Sequence, residues 1–206
     1  MYRFVNRFLM NDFSKDIVEN INLKQNNITV FDIGCYLGSF SRSLQHRLKN
    51  KKIEARFMLF DANPNLKMTD FRYHNIVFSD KEEKKAFFIN NFFPSSGSSL
   101  KNLVVNDKLW NFTRKLATFN NKKIFSKINV KTETLDNFCK KDGIKLIDVL
   151  KIDVEGSEFD ILKGAKKSLE ITNILQIEVL EKKEKFRTKY ESLLDFLETK
   201  YNFKVL

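Results

Sequence analysis

Proline and histidine are nearly absent from this 206-residue chain, two of each, and it holds only six glycines, two cysteines and one tryptophan. So little glycine and proline argues against disorder and against a turn-rich all-β protein. Cys35 and Cys139 have neither metal-ligand nor redox spacing, so reduced thiols are expected. His46 falls on a polar helical face and His74 in a strand, which makes both structural rather than catalytic candidates. No apolar run reaches membrane-spanning length, and Met1 to Met10 lacks the unbroken apolar stretch of a secretory signal. A cytoplasmic location is the expectation.

What the chain does have is apolar bulk, 42% of residues including 21 Phe, enough to fill the core of one domain. It is also basic, with 37 Lys and Arg against 26 Asp and Glu, a net charge of +11. That balance suits a nucleic acid, an anionic substrate or an anionic membrane surface. The lysines are scattered, however (Lys122-Lys123, Lys140-Lys141, Lys166-Lys167, Lys182-Lys183), which favours solvated faces over a dedicated polyanion site.

Strand and helix patterns alternate from residue 28 onward. Apolar runs predict strands at Ile28–Ile33, Phe57–Phe60, Phe71–Phe78, Ala86–Ile89, Ile128–Thr132, Leu146–Ile152, Ile174–Leu180 and Tyr201–Leu206. Helical spacing follows Gly38, opens again at Leu135, at Ser157 with an S-x-x-D capping box to Asp160, and around Tyr190–Leu197; a helix over Leu103–Phe119 is also expected. Phe92–Leu100 is the one low-complexity stretch and predicts a long loop at the edge of a site. Strands separated by helices imply right-handed crossovers and an α/β fold, a doubly wound, mostly parallel sheet with helices on both faces. Residues 1–27 are expected to be a helical segment, with Phe4, Phe8 and Leu9 as a stripe capping the sheet, and residues 28–206 the main domain.

The most informative stretch is Lys151-Ile152-Asp153-Val154-Glu155-Gly156-Ser157-Glu158. Three carboxylates and a glycine end a buried strand, where open parallel sheets place their ligands. Asp153 and Glu155, two apart, share a face if the strand continues that far, and Glu158 lies in the first turn of the next helix. Glu178, at the end of the following strand, would border the same pocket on its substrate side.

The first strand runs into Asp32-Ile33-Gly34-Cys35-Tyr36-Leu37-Gly38-Ser39. A dinucleotide fingerprint beginning at Gly34 would need glycines where Tyr36 and Ser39 stand, and there is no P-loop. The D-x-G-x-x-x-G pattern suits a nucleoside cofactor without a bridging phosphate, such as S-adenosylmethionine. The helix N-terminus near Gly38 and Ser39 would face the methionine carboxylate and Asp32 its ammonium group. Asp61, in Asp61-Ala62-Asn63-Pro64 at the end of the second strand, suits the ribose hydroxyls, and Ser79-Asp80 the adenine amine. Each has a plainer alternative: Asp61 as an Asx cap, Asp80 in a solvated turn.

These residues, with Val130-x-Thr132-x-Thr134-Leu135-Asp136-x-Phe138 and the block Leu150 to Glu158 continuing to Ile161-Leu162-Lys163-Gly164-Ala165, resemble FkbM-type S-adenosylmethionine-dependent methyltransferases. The resemblance runs in order from about residue 29 to 180. It implies a class I, Rossmann-like methyltransferase fold and, for typical members, O-methylation of a hydroxyl on a sugar, glycan or other small molecule. Two departures stand out. Asp61 replaces a more usual Glu, and the chain ends at Leu206 where the fold usually adds an antiparallel strand. The exposed edge this leaves would be covered by a partner or by the N-terminal segment, unless the protein is clipped or degenerate. Candidate site residues are thus Asp32, Gly34, Cys35, Gly38, Ser39, Asp61, Ala62, Asn63, Ser79 and Asp80 for the cofactor, and Asp153, Glu155 and Glu158 for catalysis. A divalent metal is not favoured, because the oxygens lack a fuller ligand set. A nucleic-acid methyltransferase and a non-catalytic binding module of the same fold are the alternatives.

Overall fold

The computed structural model describes residues 3–6, 14–21, 27–90, 98–100, 125–177 and 184–204. In chain order the elements are β1 (Arg3–Asn6), α1 (Ser14–Asn20), β2 (Asn27–Ile33), α2 (Ser39–Asn50), β3 (Glu54–Phe60), β4 (Arg72–His74), β5 (Val77–Phe78), β6 (Lys84–Asn90), β7 (Phe125–Glu133), α3 (Leu135–Lys141), β8 (Ile147–Ile152), α4 (Glu158–Lys163), α5 (Lys166–Glu170), β9 (Thr172–Ile177) and α6 (Glu184–Tyr201). Six strands form one sheet in the order β1-β9-β8-β2-β3-β4, each neighbouring pair parallel.

Strand alternation divides the core in two. On one face Val30, Phe57, Leu59 and Val149 pack with Ile17 and Val18 of α1 and Leu44 and Leu48 of α2. On the other, Phe31, Met58, Phe60, Leu150 and Ile152 pack with side chains from α3, α4, α5 and α6, among them Phe138, Ile161, Leu169 and Leu197. Helices therefore cover both faces, which is why the strands read as nearly continuous apolar runs. This is the doubly wound α/β fold expected from the sequence.

Four expectations change. The predicted strand Phe71–Phe78 is two strands: Ile76 N–H turns back to the His74 carbonyl at 3.0 Å, and the Asn75 amide donates to the Asp61 carbonyl at 2.8 Å. Past that kink β5 leaves the main sheet and pairs with β7, which also pairs antiparallel with β6, giving a second sheet β5-β7-β6. Residues 1–27 are not simply helical. Arg3–Asn6 is a strand beside β9, Arg3 opposite Ile174 and Asn6 opposite Ile177, and it satisfies backbone groups that an open edge would expose. Tyr201 ends α6 rather than opening a strand. Asn202 is left-handed (φ +56°), and Phe203 N–H returns to the Leu197 carbonyl, leaving Phe203 buried. Finally, the capping box before α4 does not form: Ser157 makes no side-chain cap. The expected helix at 103–119 and most of the loop at 92–100 lie outside the described residues, as does Glu178.

Candidate active site

The turn after β2 is fixed by sterics and by its neighbour. Gly34 (φ +77°) and Cys35 both donate N–H to the Phe60 carbonyl, at 2.9 and 3.1 Å, which ties the turn to the end of β3. A Cβ on Gly34 would stand 1.7 Å from the Asp153 carbonyl oxygen, so only glycine admits the chain leaving β8 this closely. Gly38 is also left-handed (φ +74°) and forms the start of α2.

Asp61 follows β3 directly. Its Oδ2 accepts the Tyr36 N–H at 2.9 Å and its Oδ1 the Asn63 N–H at 2.8 Å, so one carboxylate stitches two turns together. It is thus the Asx cap that the sequence allowed and also a wall of a cleft. Burial raises its pKa, against the hydrogen bonds from Asn63 and Tyr36.

That cleft, about 260 Å³, opens at the carboxyl ends of β2, β3 and β8. Gly34, Cys35, Ser39, Asp61, Ala62, Asp153 and Glu155 line it. Its apolar wall includes Phe60, Phe78, Phe87 and Ile161. Ser98 and Leu100 line it too, and Ser99 Oγ donates to the Glu155 carbonyl at 2.8 Å. The loop expected at a site edge therefore reaches the site through its described residues. Charged side chains among the described lining residues are Asp61, Asp153, Glu155 and Lys151, so the basic surplus of the chain is not concentrated here.

Lys151 is the residue sequence reasoning passed over. Its Nζ lies 3.2 Å from Asp32 Oδ1 and 3.1 Å from Asp153 Oδ2, and 5.6 Å from the centre of the Phe40 ring. Burial alone would lower its pKa, but the carboxylates of Asp32 and then Asp153 outweigh it and hold the ammonium firmly protonated. The signal was available: a lysine inside the buried run Ile147–Ile152 requires a carboxylate partner.

Not every candidate reaches the cleft. Asp32 is fully buried beneath it, bound to Lys151 and to Ser41 Oγ at 2.7 Å. Gly38 and Asn63 support the two turns from behind; the Asn63 side chain caps the Asn65 N–H at 3.0 Å. Ser79 and Asp80 stand together around Lys85, whose Nζ is 2.7 Å from Ser79 Oγ and 3.1 Å from Asp80 Oδ1, away from the lining. Glu158 Oε1 accepts the N–H groups of Val154 and Gly156, at 3.1 and 2.9 Å. It clamps the loop that carries Asp153 and Glu155, with its pKa raised by burial against those hydrogen bonds.

β8 stops at Ile152, so strand alternation does not place Asp153 and Glu155. Glu155 instead takes a left-handed conformation (φ +54°), as does Tyr36 (φ +46°) across the first turn. Both line the cleft, whereas the other two non-glycine residues of this kind among the described residues, Lys52 and Asn202, follow helix ends. Strained backbone of this sort persists where surrounding structure holds it, often around ligands. Among the described residues, no group of three or more His, Cys, Asp or Glu gathers to hold a metal ion.

The 2-O-methyltransferase NoeI of Sinorhizobium fredii (strain NBRC 101917 / NGR234) is 25% identical over 166 residues, which is 76% of this chain and 65% of that protein. The chain thus spans just under two thirds of that relative's length. No solved structure matches the chain. The model of the Methyltransferase FkbM domain matches residues 32–205, from the first cleft turn through α6, and the chain belongs to that methyltransferase family.

Proposed function

We propose that this protein transfers a methyl group from S-adenosylmethionine to a hydroxyl of a sugar, glycan or other small molecule. The observation that carries this reading is one cleft lined at once by the glycine turn, Asp61, Asp153 and Glu155. The relative named a 2-O-methyltransferase supports the acceptor chemistry.

The residues present fit that cofactor. Asp61 has each oxygen engaged by one N–H, and a carboxylate oxygen can accept a second donor, so capacity for ribose hydroxyls remains. Ser157 contributes a buried hydroxyl with no protein partner among the described residues. The turn Gly34–Ser39 would hold the methionine end. Asp32, already bound to Lys151 and Ser41, acts by fixing that lysine.

The cofactor supplies an electrophilic methyl group, and the chain supplies position. Lys151 fixes Asp153, which orients the acceptor hydroxyl as a hydrogen-bond acceptor. Glu155 takes the proton of that hydroxyl as general base. Glu158 keeps the loop in shape.

Thermal melting of wild type and Asp61→Ala with S-adenosylmethionine, S-adenosylhomocysteine and NAD tests the reading. At a hundred times its dissociation constant a ligand adds about 2.7 kcal/mol, roughly 5–10 °C for a chain this size. The expected result is a shift with both sulfur nucleosides, none with NAD, and its loss in Asp61→Ala. Cooperative melting with no shift from either nucleoside overturns the reading.

A further inference from the structure

Ser157 occupies the position before α4 where a serine normally spends its hydroxyl on helix N–H groups. Here the Asp160 N–H bonds the Ser157 carbonyl at 3.1 Å instead, while the Glu158 carboxylate takes the N–H groups of Val154 and Gly156 in the loop before the helix. Ser157 Oγ, on a residue only 2% exposed, is left without a hydrogen-bond partner among the described residues. Buried hydroxyls are nearly always paired, and an exception calls for a reason.

Three other buried side-chain atoms among the described residues share that state, His74 Nε2, Gln176 Oε1 and Tyr201 OH, but of the four residues only Ser157 lines the cleft. Ile161, one helical turn on and thus on the same side of α4, lines it as well. With Phe78 and Phe87 it forms an apolar wall. A surface of this kind suits the face of a flat heterocycle, whose polar edge atoms then need a partner in the ring plane. A hydroxyl is both donor and acceptor, so it can serve a ring nitrogen or an amine. Asp80, which the sequence suggested for that task, is engaged by Lys85 instead.

We infer that the Ser157 hydroxyl is the side chain that hydrogen-bonds a polar edge atom of the cofactor's purine. The inference rests on the proposed cofactor. In the unliganded protein the hydroxyl is a stability cost held in reserve, and the bound purine relieves it.

The test is calorimetric titration of S-adenosylhomocysteine into wild type and Ser157→Ala, with four analogues. Each analogue lacks one polar edge atom: the 1-deaza, 3-deaza and 7-deaza forms and the form without the 6-amino group. Expected is about a fivefold loss of affinity for the parent compound in Ser157→Ala, the size of one neutral hydrogen bond. One analogue should bind about fivefold more weakly to wild type and show no such penalty in the variant. Ser157→Cys, which keeps the bulk without the strong donor, should repeat the pattern. The unliganded variants should melt no lower than wild type, because no hydrogen bond to a described residue is lost. Parent affinity unchanged in Ser157→Ala, all four penalties retained, or a lowered melting temperature would each overturn the inference. Wild type that fails to bind S-adenosylhomocysteine would overturn the proposed function instead, so the two failures are distinguishable.

Discussion

The carbonyl oxygen of Asp153 lies 1.7 Å from where a Cβ on Gly34 would stand. The two turns that flank the cleft, one after β2 and one after β8, meet backbone to backbone at this point, and the Asp153 N–H also donates to the Ile33 carbonyl at 3.0 Å. Gly34→Ala therefore has to push these strand ends away from each other and also place a side chain at φ +77°. A destabilisation of about 2–4 kcal/mol is expected from overpacking and left-handed strain together. Urea unfolding measures it, and a change under about 0.5 kcal/mol would show that the turns separate freely.

Lys151 and Asp32 should be strongly coupled. Asp32 is fully buried, so Lys151→Met leaves its charge without a counter-ion and should cost about 3–5 kcal/mol. Asp32→Asn in the same chain removes the stranded charge and should restore at least about 2 kcal/mol. Additive losses in the four-member cycle would contradict the pairing.

Asp61 shapes the pH dependence of stability. Its carboxyl holds a proton more tightly folded than unfolded, because burial raises its pKa above the ordinary 3.8. The folded state then binds more protons than the unfolded one as pH rises above that value, so this group makes stability fall across the window up to its raised pKa. Asp61→Asn removes that contribution, so its stability relative to wild type should rise through the same window. Urea midpoints taken between about pH 3.5 and 7 test this, and parallel profiles for the two proteins would refute it.

Glu158 and Glu155 should respond differently to the same change. Glu158→Gln keeps an oxygen for the Val154 and Gly156 N–H groups, so methyl transfer should stay within about threefold of wild type, while Glu158→Ala should cost about 1–3 kcal/mol of stability. Glu155→Gln removes the proposed base and should lower kcat by about a hundredfold or more with little effect on cofactor affinity. Equal losses of kcat in the two Gln variants would place both carboxylates at the reacting atoms.

The sequence made most of this legible where side chains face a uniform surrounding. β2, β3, β8 and β9 are largely buried, so their apolar runs marked them, and Asp61 and Asp153, directly after β3 and β8, marked the cleft. What it hid depends on partners distant in sequence. Nothing local shows that Asn75 will turn its amide to the Asp61 carbonyl and split a strand, or that β5 will join β7. Ser157 matched a capping pattern, but Glu158 reached backbone N–H groups that the pattern ignores. Asp32 looked available for a ligand because its claim on Lys151 spans 119 residues. Phe4 suited a helix as well as a strand until β9 offered an edge to pair with.

The place of β1 bears on how the protein comes to be built. Its residues leave the ribosome well before their neighbours in β9, Arg3 meeting Ile174. Until β9 is made, β1 lacks the strand it pairs with. Pairing across such a span is among the slowest steps in folding. A change within Arg3–Asn6 would thus act on the outer side of β9, far along the sequence, on the finish of the sheet rather than on its beginning.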